Sequence, residues 1–499
     1  LEHVNESILR QYQCMKARAL KENILRKLGR VKEAEELHKE SLKIDPLYDR
    51  QPEKINHNTL LELVIDLYEA GDYAQGITLA EKWVKQQNVS RQEDIYPLVY
   101  YYIAYGYQNL HRKENTEQAN CYMTMYVTLG ENAAADGCFP HRTEDYIVLK
   151  SLAEEYHLAM AYYYLGCLLY DRRVYDESIE DYEESILRSP DFPTVHRNLA
   201  LAYYNVKKLP QRAYEEMEKA FALDETDARV YLELDQLKKR LNVAVKERWS
   251  DMEKHFDLVE SRDDLYLEYV TLLNTLGEPE KALGLIKARK FHQWEGGEGK
   301  VAAQYLTALY QLAKAAVEKE DYAEAKELLL RAVGEYPHNL GEGKLESGQE
   351  NNLYYLLGLV QEKLGETEDT LDCLTKACHG ESEPVGMMYY NDQPPEMIYY
   401  QGLAYRKLGD EEQAVQRFCK LVDYGKEHID DEIRIDYFAV SLPDLLIFEE
   451  NLNERNRKHC LFMMSLGLRG LGQTDEAKAC AEELLSMDNA HQGIRVHDL

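Results

Sequence analysis

The sequence predicts an all-α protein, a right-handed superhelical solenoid of about eleven helix pairs with inserted loops. The first observation is a set of small residues that recurs at an interval of roughly 34 residues. The others are a globular composition, with 45% hydrophobic and 30% charged residues, and the lack of an apolar run long enough for a membrane span. Because an irregular helical bundle would not repeat its small residues at one interval, we expect residues 1–499 to form a single solenoid.

The clearest repeat lies at residues 159–190, AMAYYYLGCLLYDRRVYDESIEDYEESILRSP. Gly166 stands within its first predicted helix, Tyr175 opens the second, and Pro190 ends the unit. Other copies are marked by Gly29, Ala34 and Pro46; by Tyr322, Ala325, Leu329, Ala332 and Pro337; by Gly358, Gly365 and Ala377; by Gly402, Tyr405, Gly409, Ala414 and Phe418; and by Gly472, Ala477 and Ala481. Weaker copies are expected at residues 58–92, 98–129, 193–226, 228–261 and 263–290.

This pattern resembles the tetratricopeptide repeat, which implies antiparallel helix pairs whose first helices line an inner face. Alanine or glycine on the packing faces lets the helices approach closely, and glycine near the turn supplies backbone freedom. In one copy Glu320 stands where the turn glycine is expected.

The charge balance excludes several classes of partner. Lys and Arg number 59 against 90 Asp and Glu, and the net charge of −31 repels phosphate backbones and anionic membranes. We therefore expect neither nucleic-acid binding nor membrane insertion. Nine cysteines are scattered without a CxxC pair and no HExxH motif occurs, so we predict no metal and no cofactor. These features do not fix the compartment, although a cytoplasmic setting is favoured over a secreted one.

Five interruptions of the repeat are the main candidates for function, because solenoids place functional insertions between their units. They lie near residues 130–150, 291–302, 338–352, 381–396 and 429–457. Each combines aromatic or apolar anchors with turn residues, so we expect ordered loops rather than linkers.

The second interruption contains the most unusual tract, FHQWEGGEGK at residues 291–300. It combines one of three tryptophans with carboxylates and a flexible backbone. We predict that it contacts a ligand or partner through His292, Trp294, Glu295, Glu298 and Lys300. In a purely structural alternative, Trp294 staples one unit to the next.

Two enzymatic interpretations of this tract fail on its residues. A phosphate loop needs Ser or Thr after Gly-Lys, whereas Val301 and Leu345 follow the two such pairs here. A glycosidase needs two carboxylates that face each other across a sugar, and Glu295 and Glu298 lie in one loop. We therefore assign no catalytic residue and expect that the chain is not an enzyme.

A second candidate tract, MYYNDQPP, occupies residues 388–395. Its prolines suit a helix start near Pro395, and Asp392 suits a cap for nearby amides, so structure alone would explain it. Tyrosine and asparagine also form surfaces that sugars and peptides use. We therefore predict binding through Tyr389, Tyr390, Asn391 and Asp392.

Tyrosine is over-represented, with 39 residues against 9 phenylalanines. Tyrosine-rich runs fall on predicted first helices at residues 100–107, 161–166 and 201–205. An apolar ring with a polar tip suits both packing and a half-wet groove, and we expect packing to use most of these side chains. Arg197, Asn198 and Asn205 hint at an adaptor for acidic peptide tails, although the surrounding charge is unfavourable.

The tracts FHQWEGGEGK, YYNDQPPE and DYFAVSLPDLLIF lie outside the generic repeat. With them, residues 11–490 resemble the C-terminal repeat region of large, mostly bacterial proteins that carry an N-terminal domain of unknown function similar to galactose mutarotase. The resemblance implies a setting in glycan metabolism. Residues 1–499 include no counterpart of that β-domain, so its catalytic residues are not carried over.

Together these features predict a protein-interaction scaffold that binds a protein or peptide through a concave, tyrosine-rich groove and inserted loops. The alternative is a carbohydrate-binding or carbohydrate-processing component, related to a glycosidase or epimerase, whose ligand is a glycan and whose catalytic domain is not in this chain.

Overall fold

The computed structural model describes residues 1–499 except 47–55, 88–93, 115–116, 295, 345–347, 387–391, 435–446 and 498–499. All regular secondary structure in the described residues is helical, so the predicted all-α fold is confirmed. The chain divides into two compact units, Leu1–Leu199 and Ala200–Leu499. None of the described helices combines the length and the apolar character needed to cross a lipid bilayer.

The described part of the first unit forms ten complete helices and the beginning of an eleventh. They are α1 (Glu2–Arg10), α2 (Met15–Lys27), α3 (Val31–Ile44), α4 (His57–Glu69), α5 (Tyr73–Gln86), α6 (Pro97–Glu114), α7 (Glu117–Asn132), α8 (Thr143–Tyr156), α9 (Ala159–Asp171), α10 (Tyr175–Arg188) and α11 (Pro193–Asn205). Helices α2 and α3, α4 and α5, α6 and α7, and α9 and α10 form four pairs.

The described part of the second unit begins within α11. Its further helices are α12 (Pro210–Leu223), α13 (Ala228–Arg240), α14 (Val245–Lys254), α15 (Phe256–Ser261), α16 (Asp263–Thr275), α17 (Pro279–Ala288), α18 (Lys300–Glu318), α19 (Tyr322–Val333), α20 (Asn351–Leu364), α21 (Thr367–Cys378), α22 (Pro395–Lys407), α23 (Glu411–His428), α24 (Leu452–Gly470), α25 (Thr474–Met487) and α26 (Gln492–Val496). A 3-10 turn, His338–Leu340, follows α19. Five successive pairs, α16–α17, α18–α19, α20–α21, α22–α23 and α24–α25, pack together in this unit.

Close approach of the two helices within a pair explains the regular spacing of small residues along the sequence. A Cβ built on Gly166 in α9 would lie 2.5 Å from the ring of Tyr182 in α10. The hydroxyl of Ser178 also donates to the carbonyl of Gly166 at 2.7 Å. Only a residue without a side chain therefore fits at this crossing.

Some of the turns that join the two helices of a pair lack glycine at the left-handed position. Glu320, between α18 and α19, has a φ of 60°, and Arg173, between α9 and α10, has a φ of 61°. Both adopt the left-handed conformation that glycine adopts at lower cost. The turn geometry is thus retained even where the sequence signal is missing.

The interruption expected at 130–150 is partly helical, since α7 extends to Asn132 and α8 begins at Thr143. Asp145 explains why α8 begins at Thr143, within the expected interruption. Its buried carboxylate accepts hydrogen bonds from the backbone N–H of His141 at 2.9 Å and of Arg142 at 3.0 Å. An acceptor at a helix N-terminus satisfies amides that have no partner within the helix.

The first tyrosine-rich run lies inside the first unit. Tyr100, Tyr101 and Tyr102 are at most 1% exposed. The hydroxyl of Tyr101 donates to Glu131 at 2.6 Å, and that of Tyr102 donates to Asp145 at 2.8 Å. These rings therefore serve internal packing.

Residues 492–496 of the second unit pack against its earlier helices. The side-chain amide of Gln492 donates to the carbonyl of Thr271 in α16 at 3.1 Å, and Lys314 in α18 donates to the carbonyl of Val496 at 3.0 Å. Ile494 is 2% exposed. The C-terminal segment is thus part of this unit's core.

Candidate functional site

The predicted tract at 291–300 and the 3-10 turn after α19 enclose a cavity in the second unit, which we call the Trp294 cleft. Its volume is about 350 Å³. The cleft is lined by His292, Gln293, Trp294, Gly297, Glu298, Val301, Leu340, Gly341 and Glu342. Val301 and Leu340 are buried and form an apolar floor, whereas Gln293 and Glu298 are exposed at the rim.

Asp263, at the start of α16, holds one end of the tract. Its carboxylate accepts from the backbone N–H of His292 at 2.9 Å and from the guanidinium of Arg289 at 2.6 Å. The His292 ring lies 3.0 Å from the same carboxylate. Burial opposes the charge of Asp263, but hydrogen bonds from His292 and Arg289 outweigh it and lower the pKa of this carboxyl.

Glu342 joins the two walls of the cleft. Its carboxylate accepts from the backbone N–H of Gly299 at 2.7 Å and of Ala302 at 2.8 Å. These amides lie at the N-terminus of α18, where a negative charge is stabilised by the helix dipole. Both oxygens of Glu342 are therefore engaged in fixing the start of this helix.

Two close backbone approaches shape the opposite side. The N–H of Phe291 donates to the carbonyl of Asn339 at 2.8 Å. Gly341 has a φ of 78°, and a Cβ on it would lie 2.7 Å from the carbonyl oxygen of Phe291. A side chain at position 341 would thus both strain the backbone and push the two loops apart.

Gly297 fixes the position of the Trp294 indole. A Cβ on Gly297 would lie 2.2 to 2.6 Å from three atoms of that ring system. The N–H of Gly297 donates to the carbonyl of Trp294 at 3.0 Å. The indole is partly exposed and presents a flat apolar surface beside the polar rim. The cleft can therefore receive an apolar or planar group with hydrogen-bonding atoms at its edge.

The structure brings some of the predicted site residues together. His292, Trp294 and Glu298 line the Trp294 cleft, and Lys300 begins α18 with an exposed side chain. Asp392, which precedes α22, does not line it. The remaining predicted residues, Glu295, Tyr389, Tyr390 and Asn391, lie outside the described residues.

Sequence reasoning missed the contribution of Leu340, Gly341 and Glu342. One signal was available, because the string GEGK occurs at residues 297–300 and again at 341–344. The two copies belong to loops that meet at the cleft.

A second arrangement, the Asn205 site, comprises Tyr204, Asn205, Lys208 and Arg240. The Asn205 side chain donates to the carbonyl of Ile447 at 2.8 Å and accepts from the N–H of Glu449 at 2.8 Å. Arg240 donates to the carbonyl of Phe448 at 3.1 Å. The hint of peptide recognition at Asn205 thus corresponds to a contact with a segment of the chain itself.

Phe448 is fully buried at this site. Its ring packs edge-on against Tyr204 with a centroid distance of 5.0 Å. The ammonium of Lys208 lies 2.6 Å from the carboxylate of Glu449. Residues 447–449 are therefore held through their backbone, an aromatic side chain and a carboxylate.

Three segments of the chain match models of the tetratricopeptide-repeat family. Residues 307–339 and 396–424 match one such model, and residues 459–491 match another. These segments fall on the pairs α18–α19, α22–α23 and α24–α25. The second unit thus contains tetratricopeptide repeats, as the sequence pattern predicted.

Two solved structures are similar to the chain at low sequence identity. Yeast Tom70 is 10% identical, with 98% of this chain and 95% of that chain covered and a TM-score of 0.29. A tetratricopeptide repeat protein from Parabacteroides merdae ATCC 43184 is 14% identical, with 61% of this chain and 98% of that chain covered and a TM-score of 0.23.

Proposed function

We propose that the chain is a protein-interaction scaffold that binds a segment of a partner polypeptide in the Trp294 cleft. The observation that carries this proposal is the partly exposed indole of Trp294, which Gly297 fixes at an open cavity of about 350 Å³. Tryptophan held in this way is a frequent energetic centre of protein interfaces, because it buries a large area at a small entropic cost.

The repeat architecture supports the same function. Stacked helix pairs present extended surfaces and loops to a partner rather than enclosing a small substrate. A cavity of this size accommodates one or two side chains, with neighbouring residues of the partner outside it. The exposed Gln293 and Glu298 would then give direction and selectivity to the contact.

The other predicted binding residues have places in this proposal. His292 lines the cleft and Lys300 begins α18, and both would contact residues of the partner next to the anchoring side chain. In the sequence Glu295 follows Trp294 directly and would contact the same partner, and Tyr389, Tyr390, Asn391 and Asp392 would form a separate contact for a larger partner.

A random peptide library displayed on phage and selected on the purified full chain tests this function. We expect enriched peptides with a shared apolar or aromatic position, and at least about a tenfold loss of their affinity in Trp294→Ala. Phe139→Ala is a matched control, since Phe139 is an exposed aromatic residue, 74% accessible, that does not line the cleft. Peptides that bind Trp294→Ala and the wild type equally would refute the assignment of the site.

A glycan ligand is the second candidate. It is favoured by one observation, an indole face that lines an open cleft beside Gln293 and Glu298, since sugars stack on aromatic rings and bond to amides and carboxylates. A glycan array probed with the wild type and with Trp294→Ala separates the two candidates. Binding that requires Trp294 would favour the glycan, and no binding would remove it.

A further inference from the structure

The Asn205 site contacts both the backbone and the side chains of residues 447–449. The side-chain amide of Asn205 donates to the carbonyl of Ile447 and accepts from the N–H of Glu449. These two hydrogen bonds fix the register of residues 447–449 at the site. A third bond from Arg240 reaches the carbonyl of Phe448 itself. Three backbone contacts over three residues do not depend on the sequence of the bound segment.

The side-chain contacts at the site are made by the ring of Phe448 and the carboxylate of Glu449. Complete burial of Phe448 against Tyr204 favours an aromatic residue at the central position. Lys208 and Arg240 place positive charge beside the next residue, where Glu449 stands, although the chain as a whole carries a net charge of −31. The site is therefore complementary to an aromatic residue followed by an acidic one.

We propose that the Asn205 site is a peptide-binding site that the chain itself occupies, and that a partner segment with an aromatic residue followed by an acidic one displaces residues 447–449. The resident segment is tethered, because α24 begins three residues after Glu449 at Leu452. A tethered ligand competes at a high effective concentration, on the order of millimolar for short tethers. An external segment therefore binds weakly until the resident segment is released.

Anisotropy of a fluorescein-labelled peptide with the sequence of Ile447–Asn453 tests this directly. The full-length chain is compared with the variant Phe448→Ala/Glu449→Ala, which we call the open variant. In it the resident segment loses its aromatic ring and its negative charge. We expect the variant to bind the peptide at least about tenfold more tightly than the wild type. Equal binding by the two proteins, or no binding by the open variant, would overturn the proposal.

Further substitutions in the open variant identify the site. Asn205→Ala should weaken peptide binding at least about tenfold, since it removes two backbone contacts. Lys208→Glu should also weaken it, whereas Lys246→Glu makes the same charge change at an exposed position outside the site. Peptide binding that is indifferent to Asn205 would place the peptide elsewhere and contradict the proposal.

A measurement on the wild type does not depend on the folding of any variant. Hydrogen exchange is followed at Glu449, whose N–H bonds to Asn205, while the peptide is added at up to millimolar concentration. We expect exchange at Glu449 to accelerate as the peptide replaces the resident segment, and an unchanged rate at saturation would be evidence against displacement. The Asn205 site shares no residue with the Trp294 cleft, so Trp294→Ala should leave these results unchanged.

Discussion

Gly297 lies against the indole of Trp294 so closely that a Cβ at position 297 would be 2.2 Å from the ring. The indole must therefore move in Gly297→Ala, and we expect the affinity for a peptide that binds the cleft to fall at least about tenfold, measured by isothermal titration. Gly284→Ala is the control, because a Cβ there meets nothing within 4 Å. It should leave binding intact and stabilise α17 by about 0.5–1 kcal/mol. Unchanged binding in Gly297→Ala would mean that the indole orientation is irrelevant.

The contact between Gly166 and Tyr182 predicts the opposite sign for the same chemical change. Alanine is normally the better helix former, but a Cβ at position 166 would lie 2.5 Å from the Tyr182 ring. We expect Gly166→Ala to lower the free energy of unfolding by about 1–3 kcal/mol, measured by urea denaturation. An increase in stability like that expected for Gly284→Ala would show that the helices of this pair do not pack as closely as described.

A buried ionic cluster joins α13, α14 and α16. The guanidinium of Arg248, 1% exposed, donates to Asp235 at 2.6 and 3.0 Å and to Glu268 at 2.7 Å. Removal of this guanidinium would take the shared cation away from two largely buried carboxylates. We therefore expect Arg248→Met to lower the free energy of unfolding by about 3–5 kcal/mol, measured by urea denaturation at pH 7. Arg229→Met, at an exposed ion pair, should change stability by less than about 0.5 kcal/mol. Similar effects of the two substitutions would argue against a buried cluster.

His491 predicts a loss of stability in acid. Its Nδ1 accepts from the N–H of Ile494 at 3.3 Å, which requires a neutral ring, and burial lowers its pKa to about 4. Since the folded pKa is below the unfolded value of about 6.5, this contribution is complete above pH 6.5 and decreases as the pH falls towards 4.

Substitution isolates the effect of this group. His491→Asn keeps a capping acceptor but does not titrate, so its stability should fall by about 2 kcal/mol less than that of the wild type between pH 7 and pH 5. His379→Asn, at an exposed position, is the control. Parallel pH profiles for the wild type and His491→Asn would contradict the assigned role.

The helix pairs could be predicted because their key contacts are local in sequence. Gly166 meets Tyr182, and Gly402 meets Phe418, each 16 positions later. Small and large residues at such fixed offsets record the packing of one pair directly. The turns were predictable for the same reason, even where Glu320 replaces glycine with a φ of 60°.

The sites could be predicted only in part, because they depend on contacts between distant segments. The tryptophan tract identified one wall of the Trp294 cleft, but the wall formed by Glu342 lies 43 positions beyond Gly299, which it caps. Asn205 and Ile447 are 242 positions apart. Which repeats come into contact depends on the twist accumulated over the repeats between them, and no local pattern of residues specifies that accumulated twist.

A crystal structure of the full chain with the tightest-binding library peptide measures the proposed interaction most directly. We expect a side chain of the peptide to lie against Trp294 above Val301 and Leu340, with polar contacts to Gln293 or Glu298. Peptide density elsewhere on the chain, with the Trp294 cleft unoccupied, would contradict the proposal that this cleft is where the scaffold binds its partner.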